Sequence, residues 1–589
     1  MSNQMQNQSQ MQIQNQMPNQ MPNQMPNQMQ NQMQNPTQMQ NPNQTQMQNP
    51  TQMQSQNQSG ITNAKNGGYS YPKEGWTYMS ISGNAKNRGY DYGFLSAPEF
   101  KDIQNMLAFF IPETYGVSWP DMIKEIMDDY STQDKNFKEF YDEMQGIADG
   151  CSANGTPTTF DEIFAWNFYS SISYWYEFKS ENHVGKEGGG LRGGKNIFKP
   201  SAVKGSRARD RCSAFIAVGK DFTADGNIVC SHNSFCDFID GQYCNVILNI
   251  KPDKGTAFMM QTAPCWIWSG TDFFVTEQGM FGTETTIGGF YPFEKKIPIM
   301  FRIRQAMQYG KDLDDYEKIL KTGNSGDYAN SWLFGDTRTN EIMRIELGLK
   351  YVNTERTKNG FFIGFNATYD PQIRNLECNN SGFYDIRRHQ GARQVRLGDL
   401  MKQYKGQLNV EIAQKIISDH YDVYLNKENP CSRTVCSHYD LDAREYMSQA
   451  DRPKPYAPHG ALDGAVIDTN MIQNKSFLIR SGNSCGMVFD KDDFCDKHPQ
   501  WEVFRPYLKT RPGHPWVLFK MDDMNSTNIK DTSTIVNSAS DLPQAGSISA
   551  TDQGQGQGQG LGLGLGQGRQ IQGGTRKGRF MRRKTKKNK

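Results

Sequence analysis

The stretch "ARDRCSAFIAVGKDFTADGNIVCSHNSF", Ala208 to Phe235, decides the fold. Before it, Glu181 to Arg211 read "ENHVGKEGGGLRGGKNIFKPSAVKGSRARDR", a glycine-rich and basic string with little to fill a core. At Cys212 the pattern turns at once into a run of small and apolar residues, and a His-Asn pair, His232 and Asn233, follows. A cysteine is thus the first residue of an ordered segment that follows a flexible connection. Working outward from that junction gives both the architecture and the chemistry.

Upstream, "SAPEFKDIQNMLAFFIP", "SWPDMIKEIMDDY", "NFKEFYDEMQGIADG" and "TTFDEIFAWNFYSSISYWYE" carry apolar residues at helical spacing. Thr159 followed three residues later by Glu162 is a capping-box start. Downstream, "CSAFIAVG", "NIVCSHN", "YCNVILNI", "TAFMMQTA" and "DFFVTEQGMFGTETT" are short β-rich runs between Gly, Asp and Pro turns, the rhythm of an antiparallel sheet. Helices return at "IPIMFRIRQAMQYG" and "LDDYEKILKTG", strands at "NSWLFGD", "EIMRIELG" and "GFFIGFN", and helices at "GARQVRLGDLMKQY" and "VEIAQKIISDHY". Two blocks of strands among helices predict an α+β domain in which two sheets lie between helical layers.

The ends differ from this body. Residues 1–60 are almost wholly Gln, Asn, Met, Pro, Ser and Thr without one charge, so a disordered tail is expected over 1–66. Residues 67–180 form the helical part, 181–211 a flexible linker, 212–524 the β-rich part, and 525–589 a disordered Gly/Gln-rich spacer with a basic tip. That tip, residues 569–589, holds ten Lys or Arg and no acid. Setting it aside leaves 54 of the 64 basic residues against 62 acidic ones, a charge of −8 on the rest. The tip suits contact with an anionic membrane or nucleic acid, or equally a solubilising role. The first residues show no secretory signal, and no apolar run is long enough to span a membrane. Eleven cysteines in a chain of 589 do not describe a disulfide scaffold. Cys230, Cys236 and Cys244 lack a second pair at zinc-site spacing, so neither a metal nor another cofactor is expected.

Cys212 is surrounded by no papain-like signature. Read alone, it is either a small buried residue at the head of a strand or a nucleophile that acquires its own base. If the Arg211–Cys212 bond is cut, the new α-amine, with a pKa of about 7.7 to 8.0, serves as general base beside the thiol. Cleavage would begin with the sulfur attacking the Arg211 carbonyl, forming a thioester that water hydrolyses.

The runs "CSAFIAVGKDFTADGNIVCSHNSF", "DFFVTEQGMFGTETTIGGF", "IPIMFRIRQAMQYG", "GNSGDYANSWLFGDTRTNEIMRIELG" and "APHGALDGAVID", with "NRGYDYGFLSA" and "DEMQGIADG" upstream, span Asn87 to Trp516. Together they resemble the phospholipase B-like branch of the N-terminal nucleophile hydrolases and the wider autoproteolytic acyltransferase family that includes isopenicillin N acyltransferase. The resemblance implies a four-layer αββα sandwich and self-cleavage between Arg211 and Cys212, the two fragments remaining associated. It makes Cys212 the nucleophile, and puts His232 and Asn233 where many relatives have Arg-Asn with a carboxylate shortly after. Asp237 is the candidate for that carboxylate. Asn330 in "DYANSW" matches the oxyanion donor, against the alternative of a turn asparagine. Arg393, with Arg396 three residues on, matches an arginine near the nucleophile; either could instead be a helix-surface charge. Glu284 and Thr285 in "TETT" match a pocket-lining strand, with a solvated sheet face as the alternative. Trp268 joins them as a pocket residue, although aromatic residues in such runs are usually core.

The function so implied is hydrolysis of an acyl amide or ester of a small molecule or lipid through a Cys212 acyl-enzyme. Transfer of the acyl group to an amine, or a non-catalytic binding role for the tails, are the alternatives.

Overall fold

The computed structural model describes residues 60–184, 212–271, 273–379, 382–443 and 455–522, with side chains only to 180 in the first segment. The expected linker 181–211, with Arg211, and the spacer and tip beyond 522 lie outside the described residues, apart from the backbone of 181–184.

In chain order the first elements are β1 (Thr62–Asn63), β2 (Tyr69–Lys73), β3 (Trp76–Gly83), α1 (Ala85–Tyr115), α2 (Trp119–Tyr130), α3 (Lys138–Ala153), α4 (Phe160–Asn167) and α5 (Ile172–Val184). Then come β4 (Cys212–Val218), β5 (Val229–Asp237), α6 (Phe238–Gly241), β6 (Val246–Pro252), β7 (Phe258–Thr262), β8 (Phe273–Thr276) and β9 (Met280–Thr286). Next are α7 (Ile299–Tyr309), α8 (Leu313–Lys321), β10 (Asn330–Asp336), β11 (Glu341–Leu347), β12 (Val352–Thr357), β13 (Gly360–Gly364), α9 (Pro371–Leu376), α10 (His389–Gln403) and α11 (Val410–Ile417). A two-stranded hairpin, β14 (Tyr421–Asp422) and β15 (Lys427–Glu428), precedes β16 (His459–Ala461), β17 (Asp463–Asp468), α12 (Thr469–Gln473), β18 (Ser476–Ser481), α13 (Lys491–Lys497) and β19 (Val517–Lys520).

Two large sheets result. One runs β1-β2-β3-β6-β7-β8-β9-β10-β11-β12, the other β13-β4-β5-β17-β18-β19 with β16 also paired to β5. The helical upstream part therefore also supplies three strands, which the sequence reading did not anticipate. "YSYPKEGWTYMSISG" alternates large and small side chains about a Glu-Gly turn, and β3 pairs in parallel with β6 in an otherwise antiparallel sheet. Thr62 and Asn63 pair with Ser70 and Tyr69, so the ordered body begins before residue 67.

Strand β4 is buried along its whole length, which is why it reads as a continuous apolar run. On one face Phe215 and Ala217 pack with Leu397, Leu400 and Met401 of α10 and with Ala413, Ile416 and Ile417 of α11. On the other, Ala214, Ile216 and Val218 join the main core, where the first sheet lies. The sheets meet closely there. A Cβ on Gly364 would come within 2.4 Å of the Thr285 side chain, and the His232 ring lies 6.3 Å from that of Phe273.

On the far side of the first sheet α1 packs on β3, and Tyr92 on α1 donates to the Ala263 carbonyl at 2.7 Å. Thr159 caps α4 as its sequence predicts, accepting from the Glu162 amide at 3.2 Å. The motifs "NRGYDYG" and "DEMQGIADG" have a plain physical reason. Gly89 and Gly93 on α1 face Gly146 and Gly150 on α3, and a Cβ at any of the four would lie 2.0 to 2.4 Å from the opposite helix's backbone oxygen. Only glycine lets the two helices touch so closely. Among the described residues, no helix is long and apolar enough to cross a membrane.

Candidate active site

Cys212, 1% exposed, heads β4 opposite Ser234 of β5. Its two backbone polar groups are both taken by side chains. The amide nitrogen donates to Asn366 Oδ1 at 3.3 Å, and the carbonyl accepts from Arg393 Nη1 at 2.5 Å. Arg393 also donates from Nη2 to Asn366 Oδ1 at 2.7 Å and from Nη1 to Ser213 Oγ at 3.1 Å, with its guanidinium 5.1 Å from the Phe235 ring. The arginine at Cys212 is therefore Arg393. Arg396 pairs with Asp419 instead and stacks over Tyr421, one helical turn away.

Asn366 was not singled out by the sequence. It follows β13, and extending the β13–β4 register by two residues sets it opposite Cys212. Its φ of 63° is one that Asn tolerates better than most residues, and its Nδ2 is anchored on the Thr286 carbonyl at 2.8 Å. Thr286 in turn lies opposite Asn330 at the start of β10, so Asn366 reaches from the amide of Cys212 to the cross-strand neighbour of Asn330. Asn330 is fully buried, and neither its Nδ2 nor its Oδ1 has a hydrogen-bond partner.

The expected carboxylate is in a different place. Asp237 ends β5 and binds His459 Nδ1 at 3.1 Å, so it does not orient Cys212. The buried acid on this side of the sheet is Asp463. Ala461 pairs with Phe235 and Ala465 with His232, so four residues span three and the strand bulges between them. The bulge brings Asp463 Oδ1 onto the amide of Ser234, the partner of Cys212, at 2.8 Å, while Oδ2 accepts from Gln261 of the other sheet at 2.6 Å. Burial raises the Asp463 carboxyl to about 6, against the opposing hydrogen bonds. Its signal was present as the acid in "GALDGAV", inside an apolar strand, but nothing local told it from a turn residue.

His232 and Asn233 part company. His232 lies opposite Ala214, on the same face of the sheet as Cys212, and both ring nitrogens are buried without a hydrogen-bond partner. Burial pushes its pKa down to about 3, so it is neutral and too weak to serve as the base for the thiol. Asn233, opposite Ser213, points to the helices. It accepts from the Ser213 amide at 3.1 Å and donates to the carbonyls of Ile417 and Val435 at 3.1 and 3.2 Å and to Ser484 Oγ at 3.3 Å. With its amide so used, Asn233 supports the strand from behind and does not face the thiol.

The "TETT" run is buried throughout, which removes the solvated-face alternative. Thr285 packs over Gly364, in the cross-strand row that continues through Ala214 and His232. Glu284 points the other way and accepts from Tyr328 OH at 2.8 Å, and Trp268 lies edge-on to Tyr328 at 6.1 Å. Glu284 and Trp268 thus share one cluster, and Thr285 belongs to the gap between the sheets. A separate group, His420, Cys436, His438 and Cys485, has metal-ligand chemistry. Cys230, Cys236 and Cys244 take no part in it.

A buried cysteine at a strand head, with an arginine and an asparagine fixed on its backbone, defines a candidate centre for acyl chemistry. The Phospholipase B family model matches residues 71–524, and the chain belongs to that family, and so to enzymes that act on acyl bonds. No curated protein matches the chain. Among solved structures, a conjugated bile acid hydrolase from Clostridium perfringens is 8% identical, with 46% of this chain and 89% of that chain covered and a TM-score of 0.26. Penicillin V acylase from Agrobacterium tumefaciens is 12% identical, with 46% and 83% covered and a TM-score of 0.23. Scores this low do not by themselves define a shared fold.

Proposed function

We propose that the protein is a cysteine acyl hydrolase of the N-terminal nucleophile type, matured by scission of the Arg211–Cys212 bond and built as an αββα sandwich. The observation that carries this reading is the capture of both backbone polar groups of Cys212 by side chains. An ordinary strand residue exchanges these groups with its neighbours, whereas here Asn366 and Arg393 hold them from outside the ladder. An acceptor already aimed at the Cys212 nitrogen would hold an α-amine after cleavage as well as it holds the amide before it.

Maturation balances as follows. The Cys212 sulfur adds to the Arg211 carbonyl, the C–N bond breaks with a proton passing to the nitrogen, and a thioester with a free α-amine remains. Water hydrolyses it to an Arg211 carboxylate and the thiol. In turnover the α-amine takes the thiol proton as sulfur adds to the substrate carbonyl, then gives it to the leaving amine or alkoxide. The guanidinium of Arg393 on the adjoining carbonyl disfavours a second positive charge, keeping more of the amine neutral near pH 7. Asn330, a buried amide without a partner, fits the donor to the tetrahedral oxyanion. The substrate class is an acylated small molecule or a lipid, as befits the family.

The two fragments would remain one body. The upstream part contributes strands at the edge of the ten-stranded sheet, and buried Glu143 on α3 binds Arg304 on α7 at 2.8 and 3.0 Å as well as Arg88 on α1 at 2.8 Å. The test is the intact mass of purified protein, expected as two fragments meeting at Arg211 and Cys212, with Cys212→Ala left as one chain. An alanine variant cut at the same bond would assign the cut to another protease and end the autoproteolytic reading.

A further inference from the structure

On the side of the β4–β5 pair away from the thiol, four side chains from three loops converge. His420 follows α11, Cys436 and His438 lie in the loop after the β14–β15 hairpin, and Cys485 follows β18. One nitrogen or sulfur from each lies within 4.8 Å of every other. His438 Nε2 is 3.2 Å from His420 Nε2, 3.4 Å from Cys436 Sγ and 3.5 Å from Cys485 Sγ. A ring nitrogen carries at most one proton or one lone pair, so it cannot bond three such neighbours at once. A central cation can. With metal–nitrogen and metal–sulfur bonds of about 2.0–2.1 and 2.3 Å, a tetrahedral zinc site has N–N edges of roughly 3.3 Å and N–S edges of roughly 3.6 Å. The three observed distances match those edges.

We propose that His420, Cys436, His438 and Cys485 form a closed structural site for a tetrahedral divalent metal, zinc by the softness of its two-sulfur, two-nitrogen donor set. The surroundings suit it. Asp440 Oδ1, buried and without a hydrogen bond of its own, faces His438 Nδ1 at 3.6 Å, the carboxylate–histidine relation that orients a ligating imidazole. His420 and Cys485 are half-buried and give the ion a way in, while Cys436 and His438 are buried.

The site has a direct route to the catalytic strand. Asn233 donates to Ile417, Val435 and Ser484, three residues before His420 and directly before Cys436 and Cys485, and it accepts from Ser213, the neighbour of Cys212. A metal holding the three loops would hold Asn233 and, through it, the back of β4. This role is independent of whether Cys212 is the nucleophile.

The rival arrangement of the same atoms is a Cys436–Cys485 disulfide, and the experiment separates the two. Full-length protein purified without added metal is analysed for bound metals, then denatured without reductant and titrated for thiols. One zinc per chain and every thiol titrating are expected. Exchange into cobalt should give the intense visible bands of a tetrahedral ion and a sulfur-to-cobalt absorption in the near ultraviolet. Cys485→Ala and His420→Ala should each lose the metal, while Cys495→Ala keeps it. Because loss of metal in a ligand variant can also follow from misfolding, the cobalt spectrum of the unaltered protein stands as the second measurement. Protein that takes up no zinc or cobalt, that titrates two thiols short, or whose cobalt spectrum lacks sulfur ligation overturns the proposal.

Discussion

Asn330 offers the sharpest separation of function from stability, because its side chain contributes nothing visible to the fold. It is fully buried and both ends of its amide lack partners. A buried polar group left unsatisfied costs about 1–3 kcal/mol, so replacing Asn330 with Leu removes a cost at the same time as it removes the amide. The melting temperature should hold or rise. If the amide donates to the oxyanion, kcat should fall about 10²- to 10³-fold, or about 2.7–4 kcal/mol of transition-state stabilisation, with little change in KM. Asn233→Leu is the internal control. There the same change breaks an accepted hydrogen bond and strips the two N–H donors from the carbonyls of Ile417 and Val435 and from Ser484 Oγ, so stability should drop, and activity should follow the folded fraction. The assay is turnover of a chromogenic acyl amide or ester by processed enzyme, beside thermal melts of both variants. An Asn330→Leu enzyme that is fully active, or one as destabilised as Asn233→Leu, would refute the reasoning.

Other outcomes follow from buried charge and close packing. The Asp463 carboxyl, raised from 3.8 to about 6, favours its protonated form in the folded protein, so its contribution to stability is complete below pH 4 and is lost as pH rises through 6. The loss is on the order of 3 kcal/mol, and urea midpoints measured between pH 4 and 7 should fall less steeply in Asp463→Asn than in the parent. An Asp463→Asn curve parallel to the parent's would remove Asp463 as the source. Glu143→Leu leaves Arg88 and Arg304 buried without their shared carboxylate and should cost about 3–5 kcal/mol, read as a lower denaturation midpoint. Gly93→Ala sets a methyl 2.0 Å from the Ile147 carbonyl oxygen. The helices must part, at a cost of about 1–3 kcal/mol, whereas Gly398→Ala, inside α10 with open space around it, should raise stability by about 0.5–1 kcal/mol in the same melt.

What the sequence made legible is what periodicity and capping encode. Strand β4 at "CSAFIAV", the paired helices α7 and α8, and the Thr159 cap fall where their patterns predict, because each depends on neighbours within a few residues. The candidate site was legible only where one residue carries the signal, as at Cys212 at the head of a strand. Choosing Arg393 over Arg396 needed the orientation of α10 against β4, which spacing alone does not give. Asn366 and Asp463 were missed because their roles arise from a strand register and from a bulge, relations between segments distant in sequence. For the same reason His420, Cys436, His438 and Cys485 show no zinc-site spacing, and only the meeting of three loops makes them a set.

The position of the upstream part explains how a bond could be cut in this chain without undoing it. A prosegment that only covered the nucleophile would be expected to leave once released. Here α1 and α3 are locked backbone to backbone by four glycines, and β3 lies beside β6 over seven residue pairs from Thr77↔Val246 to Gly83↔Pro252. The charges of Arg88 and Arg304, from opposite sides of residue 211, converge on one buried carboxylate. These contacts are in the interior, and the solvent-screened pairs at the surface add little to them. Scission at 211 would change the chemistry at Cys212, turning an amide into an amine, while leaving the sheets and the helix α10 that position Asn366, Asp463 and Arg393 unchanged. Fragments from the processed protein should therefore co-elute in 1 M salt and separate only in denaturant, and separation by salt alone would show that surface charge, not the shared sheet, holds them together.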